Sequence, residues 1–183
     1  MHQPLYVLVY PSPLFAAHWS FWLPYIDSNR LELNTGDRIH VTGDRFNGFS
    51  YEYIPNYNIS EDDRHPNAFP IGLVPEAHLS RVGEDGNVVS AGESQEYTEK
   101  IPLNAFDKAC KQVPAPGPSL NKVNITDSSQ ASITIPKRTE VKDCQWWIKQ
   151  TTSHLVRVGL LLPLDERRKG ESPILRVENL PRH

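Results

Sequence analysis

Cysteine, basic excess and long apolar runs are all scarce in this sequence, and each scarcity excludes something. Two cysteines, Cys110 and Cys144, are too few for a disulfide framework and too far apart for a zinc ribbon. Lys and Arg number 19 against 22 Asp and Glu, a net charge of −3, and the pI is near 6.2. A chain that neutralises phosphates needs a basic face, so a nucleic-acid partner is not expected. No run approaches the roughly 18 apolar residues of a membrane span, and the mean hydropathy is −0.49. The segment MHQPLYVLVYPSP has no basic stretch before its apolar patch and no small-residue cleavage site after it. It reads as a first strand, not a signal peptide. A soluble, cytoplasmic protein is the expectation.

What is present suits a globular fold. Hydrophobic residues make up 38% and charged residues 22% of 183 positions, which is not the composition of a disordered chain. A chain of this size buries roughly 70% of its unfolded surface, so it folds without a disulfide or metal staple. One domain spanning 1–183 is expected, with an exposed loop at 83–100 and a charged tail from Asp165.

Proline, at 16 residues, is plentiful, and it stiffens loops and bounds strands. Strands are expected at Leu5–Tyr10, His18–Leu23, Arg38–Thr42 and Gly48–Ile54. A fifth is expected at Ile71–Val74, extended by His78–Val82 or not. Asn34-Thr35-Gly36-Asp37 has the chemistry of a turn. Pro102 opens a helix whose apolar residues, Leu103, Phe106, Cys110 and Val113, follow a 3.6 period until VPAPGPS at 113–119 breaks it. Positions 121–136 fit either a loop or an edge strand. The strongest helix is expected over Arg138–Gly159, with Asp143 as N-cap, an apolar stripe at Trp147, Ile148, Leu155 and Val158, and Gly159 as C-cap. The expected class is α+β: an antiparallel sheet of about five strands packed against a helix that carries a cysteine.

The two cysteines differ. Cys110 lies on the apolar stripe of its helix and reads as a small core hydrophobe. Cys144 follows the N-cap Asp143 directly, in the first turn. Unpaired N–H groups and the helix dipole stabilise an anion there, so a lowered thiol pKa and a nucleophilic role are expected. The bland alternative is a partly buried cysteine beside Trp146 and Trp147.

A thiol nucleophile needs a base, and the base a third group to orient it. Of seven histidines, His2 and His183 are terminal, His65 follows the acidic stretch SEDDR, and His78 is near a strand end. His154 lies on the Cys144 helix, roughly 15 Å of rise away. His18 and His40 remain, on strands that would lie about 4.8 Å apart if paired. A metal site built from His18, His40 and the Glu61–His65 loop is a weaker option, because no tight ligand spacing such as HExxH occurs. No metal and no cofactor are expected.

The order AHWSFWLP, then RIHVTG, then DCQWW resembles the circularly permuted papain-like fold of lecithin retinol acyltransferase-like enzymes, permuted NlpC-like amidases and deubiquitinase-like peptidases. That resemblance implies His18 as base, His40 as orienting residue and Cys144 as nucleophile. The overall pattern, with HW…P, the IHV strand, VPAPG and DCQWW, also resembles a fungal family of small uncharacterised proteins.

Two functions follow as expectations. One is a thiol-dependent hydrolase or acyltransferase that forms an acyl-enzyme on Cys144 from an ester, thioester or amide, with a small-molecule, acyl or peptide substrate. The backbone N–H of Cys144 is the first oxyanion donor, and Tyr6 and Tyr10 are nominal candidates for the second. The other is a ligand-binding or protein-interaction module with no catalysis. Trp19, Trp22, Trp146 and Trp147 would be core side chains or the floor of an apolar pocket.

Overall fold

The computed structural model describes residues 1–82, 88–89, 102–119, 142–165 and 171–183, with the backbone alone at 81–82 and 88–89. An antiparallel sheet of five strands forms its centre: β1 (His2–Tyr10), β2 (His18–Ile26), β3 (Glu32–Asp44), β4 (Gly48–Asn58) and β5 (Asn67–Pro75). Their order across the sheet is β4-β3-β2-β1-β5. A separate ribbon pairs β6 (Arg81–Val82) with β7 (Val88–Val89). Helices α1 (Ala105–Lys111), α2 (Cys144–Arg157) and α3 (Pro173–Glu178) complete an α+β architecture.

The sheet carries apolar side chains on both faces, so its central strands read as nearly continuous hydrophobic runs. Leu5, Val7 and Val9 of β1, Trp19, Phe21 and Leu23 of β2, and Ile39 and Val41 of β3 join one core with Phe106, Cys110, Trp147, Ile148 and Leu155. The Phe21 and Tyr51 rings meet Trp147 at centroid distances of 5.9 and 5.8 Å. Successive side chains on a strand alternate faces. Leu8, Tyr10 and Trp22 therefore form a second, smaller cluster on the opposite face, with Tyr6, Tyr57 and Ile59 against it. His18, Arg38 and His40 share the alternation of that second cluster.

The expected turn at Asn34–Asp37 is not a turn. All four residues lie inside β3, and the chain reverses at Asp27–Leu31, where the Asp27 carboxylate accepts from the N–H groups of Asn29 and Leu31 at 2.9 and 2.7 Å. Gly36 belongs to the strand because β2 passes too closely for a side chain: a Cβ there would stand 2.2 Å from the Leu23 carbonyl oxygen. Asp37 is buried and accepts from the Tyr25 and Tyr53 hydroxyls at 2.6 and 2.5 Å.

Other boundaries move for local reasons. β5 ends at Pro75, a single 3-10 turn occupies Glu76–His78, and Arg81–Val82 leaves for the ribbon. α1 starts at its Asn104 cap, whose side chain accepts from the Asp107 N–H, and not at Pro102. α2 starts at Cys144, directly after its Asp143 cap, with 138–141 outside the described residues, and Gly159 follows its C-cap at φ +75°, a value suited to glycine. VPAPGPS is pinned to the β3–β4 hairpin: Phe49 N–H donates to the Pro116 carbonyl at 2.8 Å and Ser119 N–H to Arg45 at 3.0 Å. Within the charged segment after Asp165, Pro173–Glu178 forms α3, capped by Ser172. The undecided stretch 121–136 and most of the 83–100 loop lie outside the described residues.

Candidate active site

Asp143 caps α2 as its sequence implies: its carboxylate accepts from Trp146 N–H at 3.1 Å. Arg45, from the β3–β4 loop, holds the second carboxylate oxygen at 2.9 Å. Gln145 points the other way. Its amide nitrogen donates to the carbonyls of Ala17 at 2.8 Å and Arg182 at 3.1 Å. Ala17 N–H also donates to Arg182, and the Trp19 indole donates to Pro181 at 3.1 Å. The C-terminal segment, the start of β2 and the start of α2 are thus tied together at one point, which places Cys144 beside the backbone of Trp19.

Cys144 is 8% exposed. The lowered thiol pKa expected from the helix N-terminus is not found. Burial dominates and pushes the thiol up to about 11, and the neighbouring Asp143 carboxylate adds to the rise. The N–H groups of Trp19, Gln145 and Cys144 itself favour the thiolate but do not offset the lost solvation. Cys110 is fully buried in the core, and burial drives its thiol well above the ordinary range too.

His18 and His40 are brought together. His18 Nε2 and His40 Nδ1 are 2.9 Å apart, with the rings edge to face at 5.0 Å. The second nitrogen of His40 lies 2.7 Å from Glu52 Oε2. Burial, then Arg38 and Arg64, lowers His18 to about 4. Burial, Arg38, His18 and Arg64 push His40 below the usual imidazole range as well.

This chain of three sets the tautomers. A carboxylate only accepts, so a neutral His40 donates from Nε2 to Glu52 and presents Nδ1 as an acceptor. His18 then donates from Nε2, and its Nδ1 is left with a lone pair and no hydrogen bond among the described residues. No hydrogen bond joins the Cys144 sulfur to either imidazole among the described residues.

Glu52 is the residue that sequence reading missed. Its signal was the β3–β4 hairpin: Asp44↔Gly48 closes the turn, and counting back gives His40↔Glu52, which shares a face. Tyr6 and Tyr10, the nominal oxyanion donors, are otherwise engaged. The Tyr6 hydroxyl donates to Glu32 at 2.7 Å, and the Tyr10 and Tyr57 hydroxyls meet at 3.0 Å. Trp19 and Trp147 are core side chains, Trp22 lies on the opposite face, and Trp146 is half-buried with the Lys142 ammonium 4.9 Å from its ring. Asp62 in the acidic loop is gripped by Arg64. Among the described residues, no group of three or more His, Cys, Asp or Glu side chains is placed to hold a metal ion, and no helix is long and apolar enough to cross a membrane.

Comparison with known proteins identifies a family. The model described as "Family of unknown function (DUF6540)" matches residues 5–162, most of the chain, and the chain belongs to that family. No curated protein and no solved structure matches it.

Proposed function

We propose that this member of the family is a thiol-dependent hydrolase or acyltransferase with a permuted papain-like arrangement, in which His18 is the base, His40 and Glu52 orient it, and Cys144 is the nucleophile. The observation that carries the reading is the relay from Glu52 through His40 to His18, which leaves an unengaged basic nitrogen, Nδ1, on the residue before Trp19. Trp19 in turn presents its backbone N–H to the Cys144 sulfur.

A thiol raised to about 11 and an imidazole lowered to about 4 are both neutral at rest, so they do not form a thiolate–imidazolium pair. The proton therefore leaves during attack. Sulfur adds to the carbonyl carbon of an ester, thioester or amide as its proton passes to His18 Nδ1. The carbonyl oxygen gathers negative charge near the Cys144 N–H at the helix start. Collapse expels the alcohol, thiol or amine, which takes the proton from His18, and leaves a thioester on Cys144. Water in a hydrolase, or an alcohol or amine in a transferase, then gives its proton to His18 and accepts the acyl group, which restores the thiol. Gln145 is not an oxyanion donor in this scheme, since its amide hydrogens are spent on Ala17 and Arg182.

The buried, weakly acidic thiol and the missing sulfur–imidazole hydrogen bond favour a second reading, a binding module on the same scaffold. Acylation separates the two. Incubation with p-nitrophenyl acetate and peptide mass spectrometry is expected to place the acetyl group on Cys144 and not on Cys110. In His18→Ala acylation should slow by about 100-fold or more, the usual worth of a positioned base. Acylation no faster than a model thiol, and unchanged in His18→Ala, would leave the binding module.

A further inference from the structure

Arg38 is a buried cation with no carboxylate partner among the described residues. It is 5% exposed, in the centre of β3. Its Nε donates to the buried Ser20 hydroxyl at 3.2 Å, which fixes the plane of the guanidinium. The group then lies against two aromatic rings, 5.0 Å from the centroid of Tyr10 and 5.1 Å from that of Tyr57. Its terminal nitrogens make no hydrogen bond among the described residues, yet they are not sealed off from solvent.

The nearby carboxylate is already spoken for. Asp62 takes Arg64 with both oxygens, at 2.9 and 2.5 Å, and also accepts from the Tyr57 hydroxyl. Arg64 itself lies over the same Tyr10 ring at 4.3 Å. Two guanidinium groups therefore converge on one tyrosine, and of the two only Arg64 has a carboxylate partner among the described residues. Directly across the strand pair from Arg38 is Trp22, 5% exposed, whose indole Nε1–H is buried and has no acceptor among the described residues. Buried donors are almost always satisfied, so the unspent Trp22 indole N–H, on the same face as the solvent-reachable terminal N–H groups of Arg38, marks a place for an acceptor.

We propose that Arg38 and Trp22 form a binding subsite for a carboxylate group of a ligand, on the sheet face that carries His18 and His40. The end of the guanidinium presents paired N–H groups that match the two oxygens of a carboxylate. One uncompensated positive charge suits a monoanion, whereas a phosphate dianion would leave excess negative charge beside Asp62. The rings of Tyr10, Tyr57 and Trp22 suit an apolar or aromatic body attached to that carboxylate. Tyr10 also links the subsite to the histidines, its ring 5.6 Å from that of His18. The subsite does not depend on thiol chemistry at Cys144.

The test is a nuclear magnetic resonance titration of the full chain with benzoate, and separately with inorganic phosphate, following the Arg38 Nε–H and Trp22 indole N–H signals. Saturable movement of both signals with benzoate, with phosphate weaker, is expected. In Arg38→Met affinity for benzoate should fall by about tenfold or more, and in Arg38→Lys less, because the charge survives and the paired donors do not. Cys144→Ser should bind as the unaltered chain does, so failed acylation and failed binding are separate results. Absence of saturable movement in the unaltered chain would overturn the proposal, even if Arg38→Met did not fold. So would tighter binding of phosphate, or unchanged affinity in a folded Arg38→Met.

Discussion

Acidification is the perturbation whose effect this structure specifies most closely. His18 has an ordinary pKa of 6.5 when the chain is unfolded and is held to about 4 when folded, chiefly by burial. Between those values the unfolded chain binds a proton that the folded chain refuses. Stability is thus fully present above pH 6.5 and is lost as pH falls toward 4. A gap of about 2.5 pH units at about 1.36 kcal/mol per unit makes the loss about 3 kcal/mol for His18 alone. His40 is shifted in the same direction and steepens the decline. Asp62 does not enter this window, since a carboxylate held below its ordinary value of 3.8 costs stability only under that pH. The assay is urea unfolding followed by tryptophan fluorescence at intervals from pH 7.5 to 4. In His18→Gln, whose amide still donates to His40, the decline should shrink by about 3 kcal/mol across the window. Equal losses in the two proteins would refute the argument that His18 is neutral and desolvated at rest.

Two further outcomes probe the start of α2. Asp143→Asn keeps an equally good N-cap but removes a negative charge that raises the Cys144 thiol. The thiol pKa should fall, and iodoacetamide labelling of Cys144 at pH 8 should quicken by about threefold per unit, because the gain in thiolate is partly offset by lower nucleophilicity. Slower or unchanged labelling would contradict the assigned sign. Gln145→Leu deletes the donor shared by the Ala17 and Arg182 carbonyls and should cost about 1–3 kcal/mol in urea unfolding; a loss below about 0.5 kcal/mol would mean that this tie does not hold the site together.

Much of the scaffold was legible because its signals are local. The β-branched and aromatic runs, the proline boundaries and the 3.6 period of Phe106 and Cys110 depend on nearby residues only. So does the Asp143 cap, since a carboxylate at that place satisfies the N–H groups of the next turn whatever packs above it. The turn between β2 and β3 was not legible. Asn-Thr-Gly-Asp has turn chemistry in isolation, but here Gly36 serves a close strand crossing and Asp37 serves two tyrosine hydroxyls from β2 and β4. Glu52 was missed because membership of the relay depends on hairpin register, which pairs residues 12 positions apart.

Alone, the sequence determined the α+β class, five strands and the place of Cys144 in the first turn of its helix, since periodicity and capping act over a few residues. The tertiary structure decided which side chains meet and what each meeting does to a proton. It put His18, His40 and Glu52 in line, left Arg38 with no carboxylate partner among the described residues, and buried Cys144 deeply enough to reverse the sign expected from the helix terminus. Solvation is the reason: a helix dipole is a local property, but the water a thiolate loses is removed by every segment packed around it.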